Sequence, residues 1–129
     1  MMLSVELRIA VADVTMIDSL LNLLDVSQQI ITSHFYYKKQ ELSYSSAIKW
    51  DQYFSSPATG YLHVGQIFVG RVVEDVMIII SGNSDIVDFI IEFRVEYLTD
   101  EDINSIKKFI LKSNRTISDK DIEVICEEY

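Results

Sequence analysis

Asp88, Glu92 and Glu96 recur every four residues with Arg94 among them, and an extended strand through this segment sets all three carboxylates on one face. Carboxylates grouped in this way can hold a catalytic metal, but no base or supporting residue accompanies them. As like charges they repel one another, so a sequence keeps them together where water or a cationic partner faces them. Glu74, Asp75 and Asp85 fall in turn-like segments at the expected ends of the same sheet. The six together read as an acidic docking face, or as a solvated surface that keeps an edge strand from aggregating. His34 and His63 are the only histidines, each on an expected strand. If those strands are neighbours, the pair could bind a metal with a nearby carboxylate; otherwise they are ordinary sheet residues. Cys126 lacks a positioned base and reads as a small buried hydrophobe rather than a nucleophile.

Eight of the fourteen aromatic residues lie between Phe35 and Tyr61. Tyr36 and Tyr37 are adjacent, so a strand points them to opposite faces and leaves at least one outside the core. Tyr and Trp bury much area at little entropic cost, which suits Tyr36, Tyr37, Trp50 and Tyr53 to anchoring a partner; half-buried core positions suit them equally. Signatures of hydrolysis and phosphate binding are missing, with no Gly-x-Ser-x-Gly, His-Glu-x-x-His, Walker loop or Cys-x-x-Cys. Gly60, Gly65 and Gly70 recur every five residues, but within a strand such glycines mark bulges or close packing rather than a dinucleotide loop. No enzyme activity and no cofactor are expected.

The negative charge is unevenly placed. Met1 to Val73 holds six carboxylates and five Lys/Arg, whereas Glu74 to Tyr129 holds fourteen against six, within a net charge of −9. Such a surface repels nucleic acid and anionic membrane and steers basic partners toward it. The 129 residues, 49% hydrophobic and 24% charged, fit one folded domain spanning 1–129. The longest uncharged apolar run, Val76 to Ile80, has the length of a buried strand and not of a bilayer span. The first residues carry no basic segment and meet Glu6 and Arg8 early, which argues against a secretory signal. The single cysteine suits a reducing cytosol. Asn114-Arg115-Thr116 matches a glycosylation sequon that has no meaning without secretion.

The elements expected to position these residues follow from periodicity. Leu3 to Val11 alternates as a half-buried strand, with Ser4, Glu6, Arg8 and Ala10 on its polar side. Asp13 caps a helix reaching about Val26. Gln29 to Lys38 reads as a strand, and Glu41 to Ser55, with Ala47, Trp50 and Phe54 at helical offsets, as a helix. Ser55-Ser56-Pro57-Ala58-Thr59-Gly60 breaks the chain. Strands are then expected over Tyr61 to Val73, Val76 to Ser81 and Ile86 to Leu98, with Glu74-Asp75 as a tight connection and Gly82-Asn83-Ser84-Asp85 as a turn. In the last of these strands Phe89, Ile91, Phe93, Val95 and Tyr97 face inward. Thr99-Asp100-Glu101-Asp102 opens a helix, its acids favourable to the helix dipole. Ile117 to Tyr129 reads either as a short helix capped by Ser118 or as a strand through Ile122, Val124 and Cys126. The expected class is α+β, one antiparallel sheet of about five strands with two to four helices packed mainly on one face.

A small, acidic, single-domain α+β chain without catalytic residues resembles the immunity proteins that bacteria encode beside polymorphic or contact-dependent toxins. The local echo is Gly65-Gln66-Ile67-Phe68-Val69-Gly70-Arg71-Val72-Val73-Glu74 followed by Asp85-Ile86-Val87-Asp88-Phe89. The resemblance implies a cytoplasmic binding protein that neutralises a cognate toxin, often a basic nuclease, by covering its active site or an adjacent surface. Glu74, Asp75, Asp85, Asp88, Glu92 and Glu96 would meet that partner, with the Tyr or Trp anchors nearby. Two other classes fit the same residues: a small scaffold or ligand-binding domain of a larger complex, and a carboxylate-metal hydrolase.

Overall fold

Strand β1 (Leu3–Val11) follows its sequence alternation, burying Val5, Leu7, Ile9 and Val11 and leaving Ser4, Glu6, Arg8 and Ala10 on the other side. In the computed structural model, which describes residues 2–26, 29–45, 48–113 and 116–128, β1 lies inside the sheet rather than at its edge. Helix α1 (Thr15–Leu23) starts where Asp13 Oδ1 accepts hydrogen bonds from the amide and hydroxyl of Thr15, both at 3.0 Å. It buries Met16, Ile17, Leu20 and Leu21. β2 (Ile30–Tyr37) turns through Lys38 and Lys39, both with positive φ, into the three-residue β3 (Gln40–Leu42).

The segment 41–55 departs from its helical reading. Glu41 and Leu42 belong to β3, and only Trp50–Tyr53 forms a helical turn, α2. Ala47 lies outside the described residues. A single turn survives because Trp50 and Tyr53 bury against Phe35 and Phe54 packs on both of them, giving packing that short helices cannot draw from propensity alone.

β4 (Ala58–Phe68) and β5 (Val72–Gly82) form a long hairpin whose turn falls at Val69-Gly70-Arg71, with Gly70 at φ 84°. The expected connection at Glu74-Asp75 is therefore corrected: both residues lie within β5. Val64 opposite Val76 and Ile67 opposite Val73 are all buried. The three-residue interval on each strand shows the buried face switching between them, where Asp75 adopts φ 56°. β6 (Val87–Val95) ends two residues before Tyr97, which is 69% exposed rather than inward-facing. α3 (Asp100–Ser113) begins at the expected Thr99 cap.

The tail contains both of its alternatives in succession. Ser118 caps a one-turn 3₁₀ helix, Asp119–Asp121, and the chain continues as β7 (Ile122–Glu128). Asn114 and Arg115, the first two residues of the sequon, and Tyr129, the last of the tail, lie outside the described residues.

Among the described residues the class is α+β with one antiparallel sheet and three α-helices, but the sheet has seven strands rather than about five, ordered β3-β2-β4-β5-β6-β1-β7. The two additional strands are β3, hidden in the misread helix, and β7, which the tail left undecided. Buried side chains from α1, α2 and α3 join one cluster with Val5, Leu7, Ile9, Phe35, Leu62, Ile78, Phe89 and Ile91 from the sheet. The helices thus cover one face. Each fully buried Leu, Ile or Phe there is worth roughly 1.5–3 kcal/mol relative to exposure.

The candidate docking face

Strand alternation leaves a second set of side chains on the face opposite the core. Register connects them into rows across the sheet. One row runs His34, Tyr61, Ile79, Ile90, Arg8, Glu123, from β2 to β7. The next runs Thr32, His63, Met77, Glu92, Glu6, Ile125. Thr59, Ser81, Asp88 and Ala10 form a third, in which the Thr59 and Ser81 hydroxyls hydrogen-bond at 2.7 Å. Arg94, Ser4 and Glu127 form a fourth. All of these residues are exposed or half-buried except Ile90, at 7% exposure between Ile79 and Arg8.

The acidic residues singled out in the sequence occupy four places. Glu74, Asp75 and Glu92 line one groove of about 590 Å³ together with His63, Met77 and Arg94. Asp88 stands on the same face of β6, one strand residue pair beyond Ile90. Asp85 lies in the β5–β6 turn, where Asn83 Oδ1 accepts from the amides of Asp85 and Ile86 at 2.8 and 3.2 Å. Glu96 follows the end of β6 and is exposed. Asp88 and Glu92 are thus aligned by β6, Glu74 and Asp75 join Glu92 from β5, and Asp85 and Glu96 sit at opposite ends of the strand.

The four aromatic residues divide. Tyr36 is 62% exposed and shares the open face with Tyr61, 42% exposed. Tyr37 points the other way, half-buried and stacked on Tyr53 at 6.1 Å between centroids. Trp50 and Tyr53 are 4% and 2% exposed, so they belong to the core and present no surface of their own. The Trp50 indole donates to Asp18 Oδ1 at 2.8 Å, joining α2 to α1. Burial pushes the Tyr53 hydroxyl up from its ordinary value. Their clustering in sequence reflects a shared aromatic core around Phe35, whose ring meets both Trp50 and Tyr53 edge-on.

Arg8, His34 and His63 were missed as parts of this face. Arg8 pairs with Glu6, and the hydrogen bond and charge of Glu6 raise its affinity for its proton, with Asp88 and Glu123 adding to the effect. A cation ringed by three strands' carboxylates offsets part of the repulsion that would otherwise oppose the sheet pairing of Glu6 with Glu92. The two histidines do lie on neighbouring strands, but each is taken by its own carboxylate: His34 by Glu41, and His63 Nε2 by Asp75 Oδ1 at 2.5 Å. Among the described residues no group of three or more His, Cys, Asp or Glu is placed to hold a metal ion. Cys126 is exposed on β7 instead of buried, and partial desolvation raises its thiol pKa, which favours the unreactive protonated form. Parity within β1 and β4 was the signal available for Arg8 and His63; pairing partners were not readable.

Residues 6–126 match the PABL017 Cdi1I immunity protein family. The chain belongs to that family. The immunity protein also resembles a chain in the 1.75 Å crystal structure of the toxic C-terminal tip of CdiA from Pseudomonas aeruginosa in complex with immune protein. The TM-score is 0.72 at 13% identity, over 92% of the immunity protein and 82% of the other chain, a likeness of fold. No curated protein matches the sequence. Among the described residues, no helix of the immunity protein is long and apolar enough to cross a membrane.

Proposed function

We propose that this immunity protein works in the cytoplasm and neutralises its cognate toxin by binding a basic surface of it across the open face of the sheet. The observation that carries the reading is the composition of that face: acids from β1, β5, β6 and β7 surround an apolar centre, Ile79 and Ile90, with Tyr36 and Tyr61 beside it. A hydrophobic and aromatic centre with a charged rim is the anatomy of a protein interface. Where the toxin is a nuclease, Asp88 and Glu92 stand in for substrate phosphates, and the acidic field speeds encounter at low salt. Glu74, Asp75, Asp85 and Glu96 extend the field and Tyr36 anchors the partner, whereas Tyr37, Trp50 and Tyr53 lie on the helix-covered side and hold the aromatic core beneath β2.

The test is stopped-flow association with the toxin domain encoded beside the immunity gene. Asp88→Lys with Glu92→Lys should slow association at least about tenfold at low salt and flatten its salt dependence. Tyr36→Ala should act on dissociation, costing about 1–2 kcal/mol of affinity. Unchanged association kinetics in the charge-reversed variant would rule out the acidic face.

A further inference from the structure

The sheet has two unlike edges. β3 is three residues long and offers little backbone. β7 pairs with β1 in unbroken register, from Ile9 opposite Ile122 to Leu3 opposite Glu128, and among the described residues no strand lies on its other side. An antiparallel strand turns alternate amides and carbonyls away from its neighbour, so β7 presents a row of bonding groups to whatever approaches. The usual protections of an edge are few here, since Ile122–Glu128 contains no proline, no lysine and no bulge. It carries instead three exposed carboxylates, Glu123, Glu127 and Glu128.

Those carboxylates select the occupant. A second copy of β7, laid antiparallel about Ile125 to pair the most residues, sets Glu123 opposite Glu127 at two places, and like charges directly opposite destabilise a ladder. A strand with Lys or Arg at alternate positions gains the same main-chain bonds and meets Glu123 and Glu127 with opposite charge. The edge is also continuous with the proposed docking face, because Glu123 lies opposite Arg8 and Glu127 opposite Ser4 on β1.

We infer that β7 receives an extended, alternately basic strand of the toxin, which adds an eighth strand to the sheet. The inference rests on the toxin-binding reading and supplies what side-chain charge alone lacks, a fixed register between the two chains. Main-chain bonds set the position along the edge, and the open-face carboxylates choose the sequence.

Amide hydrogen exchange of the immunity protein, alone and with the toxin domain encoded beside its gene, tests this. The alternate β7 amides that face away from β1 should exchange at least about tenfold more slowly in the complex, while the intervening ones, already bonded to β1, change little. A complex in which the open-face strands gain protection and β7 shows no alternating change overturns the strand addition and leaves the toxin reading standing. A toxin domain that does not bind overturns both. Glu123→Lys with Glu127→Lys should weaken binding at least about tenfold, and unchanged affinity in a variant with an intact thermal transition counts against the inference. If the variant fails to fold, exchange in the unaltered protein still decides.

Discussion

The amide of Thr99 donates to Asp102 Oδ2 at 2.9 Å while Thr99 Oγ1 accepts from the Asp102 amide at 3.0 Å, a reciprocal cap on α3. Arg71 of the β4–β5 turn adds an ion pair to Asp102 at 3.6 Å. Ser118 and Asp121 repeat the cap before β7, and Asp13 holds Thr15 before α1. In each case the bond from a backbone amide is the leading cause that holds the carboxyl below its ordinary value. A group whose folded pKa is depressed contributes stability that is present above the unfolded pKa and lost as pH falls through the folded one. The thermal midpoint should therefore be flat above about pH 5 and fall below about pH 4. Asp102→Asn should lower the midpoint at pH 7 and reduce the drop between pH 5 and 3; an unchanged drop would show that this cap is not among its causes. Thr99→Ala should cost about 1 kcal/mol through loss of the cap. This motif was legible because a threonine followed three residues later by an acid, just before an apolar stripe, is a local rule. Trp50 and Tyr53 were not: burial depends on Phe35, which reaches them through tertiary packing.

At the scale of elements, β2 and β4 join the two halves of the chain, and Phe35 faces Gly60 across that junction. A Cβ at Gly60 would lie 2.1 Å from the Phe35 ring, which is fully buried and hemmed by Trp50, Tyr44 and Tyr53. Gly60→Ala should destabilise by about 1–3 kcal/mol, read as a lower urea midpoint. Phe35→Leu, destabilising alone, should cost less in the Gly60→Ala background, because the two changes share one space. Additive midpoints would refute that coupling. Strands with clean alternation, β1 and β6, were readable from sequence to within a few residues. The β4–β5 turn was not, since Glu74-Asp75 offers a polar break where Val69-Gly70-Arg71 offers only one turn residue. Asp75 keeps a trace of that signal in its left-handed backbone. β3 escaped because three residues carry no period, and β7 because Ile122, Val124 and Cys126 fit strand and helix alike until β1 is present to pair with them.

Over the whole molecule, one face of the sheet is covered by the core and the other is left open. The sequence anticipated the acidic character, and Asp88 and Glu92 on the open side, because alternation maps onto faces. It left unread which strands are neighbours, and with that the rows that bring Glu6, Arg8 and Glu123 beside β6. A net charge of −9 at pH 7 disappears near the isoelectric point of about 4.5, and with it the repulsion that keeps copies apart. Turbidity against pH should peak near 4.5 and clear toward 7; a clear solution throughout would mean that surface charge is not what separates the molecules. The position of β1 has one more consequence. A ribosome makes β1 first, and both of its neighbours, β6 and β7, emerge only after about eighty and about a hundred and ten further residues. Until then the nascent chain carries an apolar strand with two open edges, the kind of segment that chaperones hold. The sheet around β1 therefore closes only once β7 has been made, and the first strand of the sheet waits on its last.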